Sequence, residues 1–482
     1  MDVISKGPSE LGAVWVAIRV PDGFVAAHAN HSRIRTFPKD DPENVVFAPD
    51  VISFARDKGL YHGSDNDFNY SDVFDAKPSG KLRYAEARVW DMYTAFLQDD
   101  GFAQRHLAYA MGRDKQHPMP LFIKPKNKIT LTDVRTRMAS HFEGTPFEYG
   151  NEVAGGLFSH PYRARPYLWF DDQNNLYVNE RNIGVEKTGI NFIAQIRPHM
   201  PPPLRAILWF GADDASTAPR FPAYAASTDV SKAYKGKSTA QGHVRPILDF
   251  DLSKAFWVQN MVSNFAYSRW RDAYPVVKEK LDDIQANFAA AVKQMDNQAH
   301  ELYSSDPNAA VEEVTHFSVS MADELHSQWM EFYGKLFARF RDFVTTREDP
   351  TNLACGCETT EVGMTDEWKR RVVADTGSHY RVENDHPNWI GLSEEEIAAS
   401  PIYPYPASGY HADLDLQAYH ATKYAENSTV LALLAILPAA AYTAYRALDK
   451  MRLRKNKDSY ASLQSALSME GADETTRLQD AA

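Results

Sequence analysis

Near residue 255 the hydrophobic pattern of the chain changes its period. Between Arg165 and Val230 short apolar and β-branched runs alternate with polar loops, most clearly in Leu168–Asp213, and Pro201-Pro202-Pro203 makes a rigid break. Such runs predict β-strands. From Phe256 to Glu348 the period lengthens. Leu281, Ile284, Phe288, Val292 and Met295 follow one another at spacings of three and four, which defines one buried helical stripe. Two long helices are predicted, about Trp257–Tyr303 and Pro307–Arg347, with Ser304-Ser305-Asp306 as turn and cap. The simplest arrangement is an antiparallel helical hairpin packed on the sheet, and a coiled-coil partner site is the other use of tandem helices. The fold class that follows is α+β.

Upstream, Leu11–Ala27 reads as two strands joined by the turn Pro21-Asp22-Gly23. Helical spacing covers Ala48–Gly59 and Arg83–Leu97, and Thr132-Asp133 supplies capping chemistry for a short helix in Thr130–Phe142. Met119–Lys128 reads as a loop. A net charge of −12 argues against general nucleic-acid binding, which needs a basic face to neutralise phosphates. Two cysteines, Cys355 and Cys357, cannot form a disulfide framework for 482 residues; they are either loop thiols or a local disulfide. A zinc site would need two further ligands, and none sits nearby at standard spacing.

Common catalytic signatures are missing: the chain has no HExxH, GxSxG or GxGxxG. Lys235-Gly236-Lys237-Ser238 hints at a phosphate loop, but Ser231 stands where the earlier glycine is required. His28 and His31 bracket Asn30, while His141, His160 and His199 stand alone.

Three stretches carry a family resemblance: VWVAIRVPDGFVAAHANHSRI (Val14–Ile34), SHFEGTPFEYGNEVAGG (Ser140–Gly156), and Leu168–Asp213 with its Asn179-Glu180-Arg181 and Gln195-Ile196-Arg197. Together they closely resemble the C69 family of dipeptidases, N-terminal-nucleophile (Ntn) hydrolases that also include the secernins. The resemblance covers about Gly12–Tyr274 well. It implies a partial αββα sandwich, dipeptide substrates, proteolysis through an acyl-enzyme on an N-terminal Cys, and no metal or organic cofactor. In such enzymes the α-amino group of residue 1 activates its own side chain, which its pKa of about 7.7–8.0 suits. Asn30 matches the family's small-residue–Asn element and is a candidate for holding the developing oxyanion or orienting substrate. Arg197 is a candidate for the arginine beside the nucleophile. Asn179-Glu180-Arg181 is read first as a polar network that locks the sheet. The chain opens Met1-Asp2-Val3, so the nucleophilic Cys of the family has no counterpart in it. As printed, the chain is therefore expected to be inactive by this mechanism, and two accounts compete. One is an incomplete gene model of an active enzyme; the other is an inactive, membrane-associated, secernin-like interaction protein.

The C-terminus adds a further expectation. Ser428–Tyr445 runs about eighteen residues without a charge, close to the length a helix needs to cross a bilayer, and basic residues follow from Arg446. The predicted organisation is a C69-like sheet region over 1–255, a helical hairpin over 256–348 and a polar, turn-rich region over 349–427. A transmembrane helix over 428–447 and a cytoplasmic tail over 448–482 follow. That arrangement predicts a single-pass membrane protein with a lumenal or extracellular catalytic region. Homo-oligomers are compatible with its aromatic-rich surface.

Overall fold

The computed structural model describes residues 1–7, 12–75, 77–165, 167–236 and 248–381. They fall into two compact units, the first comprising Met1–Thr346 and Glu361–Gly377. Its first sheet holds β1 (Asp2–Ser5), β2 (Ala13–Ile18) and β3 (Val45–Phe47), in that order and antiparallel. The expected hairpin across Pro21-Asp22-Gly23 does not form. β2 already has a partner on each edge, and Val25 instead makes a lone bridge to Ile123.

Helices α1 (Val51–Asp57), α2 (Tyr70–Phe74), α3 (Ser79–Leu97), α4 (Asp100–Ala110) and α5 (Leu131–Met138) follow. Thr130, not Thr132, caps α5, exchanging bonds with Asp133 in a capping box. Two apolar clusters arise here. Val14, Val16, Ile34, Val45, Val51 and Phe68 pack under the first sheet. Leu82, Val89, Trp90 and Tyr93 of α3 join Phe102, Phe142 and Phe147.

The strand-rich middle forms a small hairpin, β4 (Leu168–Phe170) with β5 (Leu176–Val178), and a second sheet of β6 (Ile190–Ile196), β7 (Ala206–Ala212) and β8 (Phe221–Tyr224) in antiparallel order. Inward residues Ile207 and Trp209 of β7 and Phe221 and Tyr224 of β8 meet the helical stripe. α6 (Ala255–Ser268), α7 (Trp270–Ser305) and α8 (Pro307–Phe340) supply the rest of that core, and α9 (Asp366–Thr376) closes the unit. Ile284, Phe288, Val292 and Met295 are buried as the periodicity predicts, with Leu281 packed at their margin. Each fully buried side chain of this kind contributes about 1.5–3 kcal/mol.

One helix expected to run unbroken through Tyr303 is two. At Arg269 the backbone leaves the helix (φ −146°, ψ 50°). The buried guanidinium there donates to the carbonyls of Phe340 and Val344 and to Thr345 Oγ1. The second long helix likewise stops at Phe340, short of the predicted Arg347.

In the second unit the described residues are 347–360 and 378–381, and there Cys355 and Cys357 are disulfide-bonded. The membrane expectation requires correction: no helix among the described residues is long and apolar enough to cross a membrane. The longest, α7, is amphipathic and exposes charges such as Lys278 and Asp282, so its apolar face serves the core rather than lipid. Residues 428–447, on which that expectation rested, lie outside the described residues.

Candidate functional site

The loop His28–Arg35 is built around a carboxylate. Asp2, the first residue of β1, is placed by its pairing opposite Val16 and is almost wholly buried. Its Oδ2 accepts from Ser32 Oγ (2.7 Å), the Arg33 amide (3.0 Å) and the Ile34 amide (2.8 Å), and its Oδ1 meets His28 Nε2 at 2.5 Å. Burial pushes this carboxyl up, but the His28 contact, the Ile34 amide and the Ser32 hydroxyl outweigh it and bring the pKa down to about 2. The carboxylate is charged and holds the loop by three of its backbone or hydroxyl donors.

Arg33 locks the other side. Its Nε donates to Glu86 Oε1 of α3 at 3.0 Å, and its Nη atoms donate to the Ala27 and Pro120 carbonyls and to the Tyr93 hydroxyl. Burial lowers the guanidinium pKa, and Glu86 and Tyr93 more than restore it. Next to it, His31 Nδ1 lies 2.8 Å from Asp75 Oδ2, while burial pulls that imidazole below its ordinary value. A cleft behind the loop, lined by His31, Arg33, Lys77 and Glu86 among others, has room for about one water molecule.

Asn30 stands at the apex. It adopts a left-handed conformation (φ 53°), which asparagine tolerates better than most residues, and its side chain is exposed. Arg88 Nη1 of α3 donates to Asn30 Oδ1 at 3.1 Å. Asn30 therefore has its side-chain carbonyl held in place by Arg88 at an exposed position. Among the described residues no group of three His, Cys, Asp or Glu side chains converges as a metal site would require.

Residues 1–283 match the model of peptidase family C69. The chain belongs to that family. It is 22% identical to a "Probable dipeptidase" of Latilactobacillus sakei over 60% of this chain and 54% of that protein. It is 20% identical to "Dipeptidase A" of Lactobacillus helveticus over 70% and 62% respectively, and 26% identical to a "Dipeptidase" of Bifidobacterium longum over 48% and 40%. The chain thus spans about half the length of the curated relatives it matches.

Within this C69 chain the two site residues singled out from sequence, Asn30 and Arg197, share no hydrogen-bond partner among the described residues. Arg197 closes β6 and is occupied: its Nη atoms pair with the Asp296 carboxylate on α7, and one also donates to the Leu204 carbonyl. Tyr224 Oη donates to the same Asp296 at 2.7 Å. In the Asn179-Glu180-Arg181 marker Glu180 is buried and paired, and Arg181 is half-buried. Glu180 takes Arg83 of α3 on Oε1 (2.8 Å from Nε) and Arg163 on Oε2 (3.4 Å), and Arg181 Nη1 donates to Tyr84 Oη at 3.0 Å. Sequence reasoning passed over Asp2, Arg33, Glu86 and Arg88. Glu86 did leave a signal, being a charge inside the apolar stripe of α3 between Leu82 and Val89.

Proposed function

We propose that this chain is part of an Ntn-type cysteine dipeptidase, in which the Asn30 loop orients the scissile peptide. The observation that carries this reading is the C69 match over residues 1–283, which runs through the Asn30 loop and the β6–β8 sheet, together with relatives named as dipeptidases. Neither Cys355 nor Cys357 is the acyl-forming thiol, because they are bonded to each other. The chemistry assigned is attack by an N-terminal thiolate on a dipeptide carbonyl, with Asn30 Nδ2 donating to the carbonyl oxygen as charge develops there. Arg197 acts at a distance as a positioning residue that fixes the end of β6.

The sheet region 1–255 is proposed to be part of an αββα sandwich, with 256–348 as the helical hairpin beneath it. In support, β6 is an edge strand that leaves Ile190, Phe192 and Ile196 exposed on one face, the kind of surface a second sheet covers. The test is hydrolysis of a panel of dipeptides by protein isolated from its native cells, with the mature N-terminus sequenced in the same preparation. Release of free amino acids by protein bearing an N-terminal Cys is the expected result. No hydrolysis of any dipeptide by such a preparation overturns the reading.

A further inference from the structure

Beside Asn30 lies Arg88, and Tyr84 links it to a second guanidinium, that of Arg181. Arg88 Nη1 is engaged by Asn30 Oδ1 and its Nε by the Tyr84 carbonyl (3.3 Å), but its Nη2 is buried and unpartnered among the described residues. Arg181 Nη1 is engaged by Tyr84 Oη, and its Nε is buried and unpartnered in the same sense. Tyr84 therefore joins the two cations: Arg88 lies over its ring at 5.0 Å while Arg181 holds its hydroxyl. Neither arginine forms an ion pair among the described residues. Their neighbours do: Arg83 and Arg163 take Glu180, Arg33 takes Glu86, and Arg137 faces Asp91. Glu186 interacts with Arg181 electrostatically but is not within ion-pair distance; burial holds its pKa up. At Arg88 burial outweighs the attraction of Tyr84, Tyr167 and Glu86 and, with Arg181 adding repulsion, draws the guanidinium down to about 10.

We propose that Arg88 and Arg181 form the subsite that takes the free α-carboxylate of a dipeptide, next to the carbonyl held by Asn30. This rests on the dipeptidase reading above and adds the recognition element. Unpartnered N–H groups on two neighbouring guanidiniums suit a planar carboxylate, which can accept from both. Bringing an anion there also relieves the repulsion between two cations that have no ion-pair partner among the described residues. A peptide extended past its second residue has no carboxylate at that point. An amide in its place leaves the same N–H groups unsatisfied, so the subsite would measure chain length as well as charge.

The test is calorimetric binding of glycyl-leucine and of glycyl-leucinamide to the full chain and to its Arg88→Met, Arg181→Met and Arg181→Lys variants, with thermal melts of each. The expected result is that the unmodified chain binds the acid about ten- to a hundredfold tighter than the amide. Arg88→Met and Arg181→Met erase that preference, while Arg181→Lys, which keeps charge without the fork, retains part of it. Should the Met variants melt early, the Lys variant decides alone. An acid preference that persists unchanged in every variant overturns the subsite and leaves the dipeptidase reading standing. Failure of the unmodified chain to bind either ligand overturns both.

Discussion

Arg33 and Glu86 are joined inside the fold by a 3.0 Å Nε–Oε1 bond, with each side chain less than 5% exposed. The pair ties the Asn30 loop to α3, so the loop that orients substrate in the proposed mechanism inherits the rigidity of a long helix. Removing one partner strands a buried charge. Glu86→Ala is expected to cost about 3–5 kcal/mol, read as a shift of the urea midpoint. A cost near zero would mean that the Arg33 carbonyl acceptors suffice without the carboxylate.

Asp2 gives the acid side of the stability profile. Its pKa is depressed to about 2 from 3.8. Its contribution is therefore fully present above about pH 4 and fades as the pH falls toward 2, a loss of about 2 kcal/mol. Asp2→Asn is expected to be less stable than the parent at pH 6, with the gap closing by pH 2. Parallel melting curves across that window would contradict the assignment.

Asp213 gives the opposite slope. Burial, with help from Asp214, raises its carboxyl to about 7 despite the Asn260 amide at 3.0 Å. Here the folded state binds the extra proton, so its stabilising effect is complete below about pH 4 and is lost as the pH rises through 7. The change amounts to up to about 4 kcal/mol. Asp213→Asn should gain on the parent steadily between pH 4 and 7, as followed by differential scanning calorimetry.

Arg197 separates scaffold from chemistry. With its guanidinium on Asp296, Arg197→Met is expected to lower stability by about 2 kcal/mol, with the KM for dipeptides in the active protein unchanged. A fall in kcat by orders of magnitude without a change in melting temperature would instead put Arg197 beside the reacting carbonyl.

The helical half was legible because burial at a period of 3.6 residues writes itself into the sequence: the Ile284–Met295 stripe lies where its spacing put it. The break at Arg269 was not, because it depends on carbonyls at Phe340 and Val344 more than 70 residues away. The false hairpin at Pro21-Asp22-Gly23 has the same origin. A turn signal is local, but β2 chose partners from Asp2–Ser5 and Val45–Phe47. Asn30 was visible as a family element; the charges that hold it, Asp2 through the loop and Arg88 directly, are long-range pairings that no local pattern encodes.

Asp306 is the whole connection between α7 and α8. It follows Ser305, the last residue of one helix, and its side chain caps the next by accepting from the amides of Asn308 and Ala309. Linkers at a protein's surface usually accept insertions cheaply, but this one has no slack. Removing Asp306 would join a 36-residue helix directly to a 34-residue one, with no residue left to reverse the chain or to cap the second helix. The length of the chain at this point is therefore as tightly specified as the identity of any buried side chain.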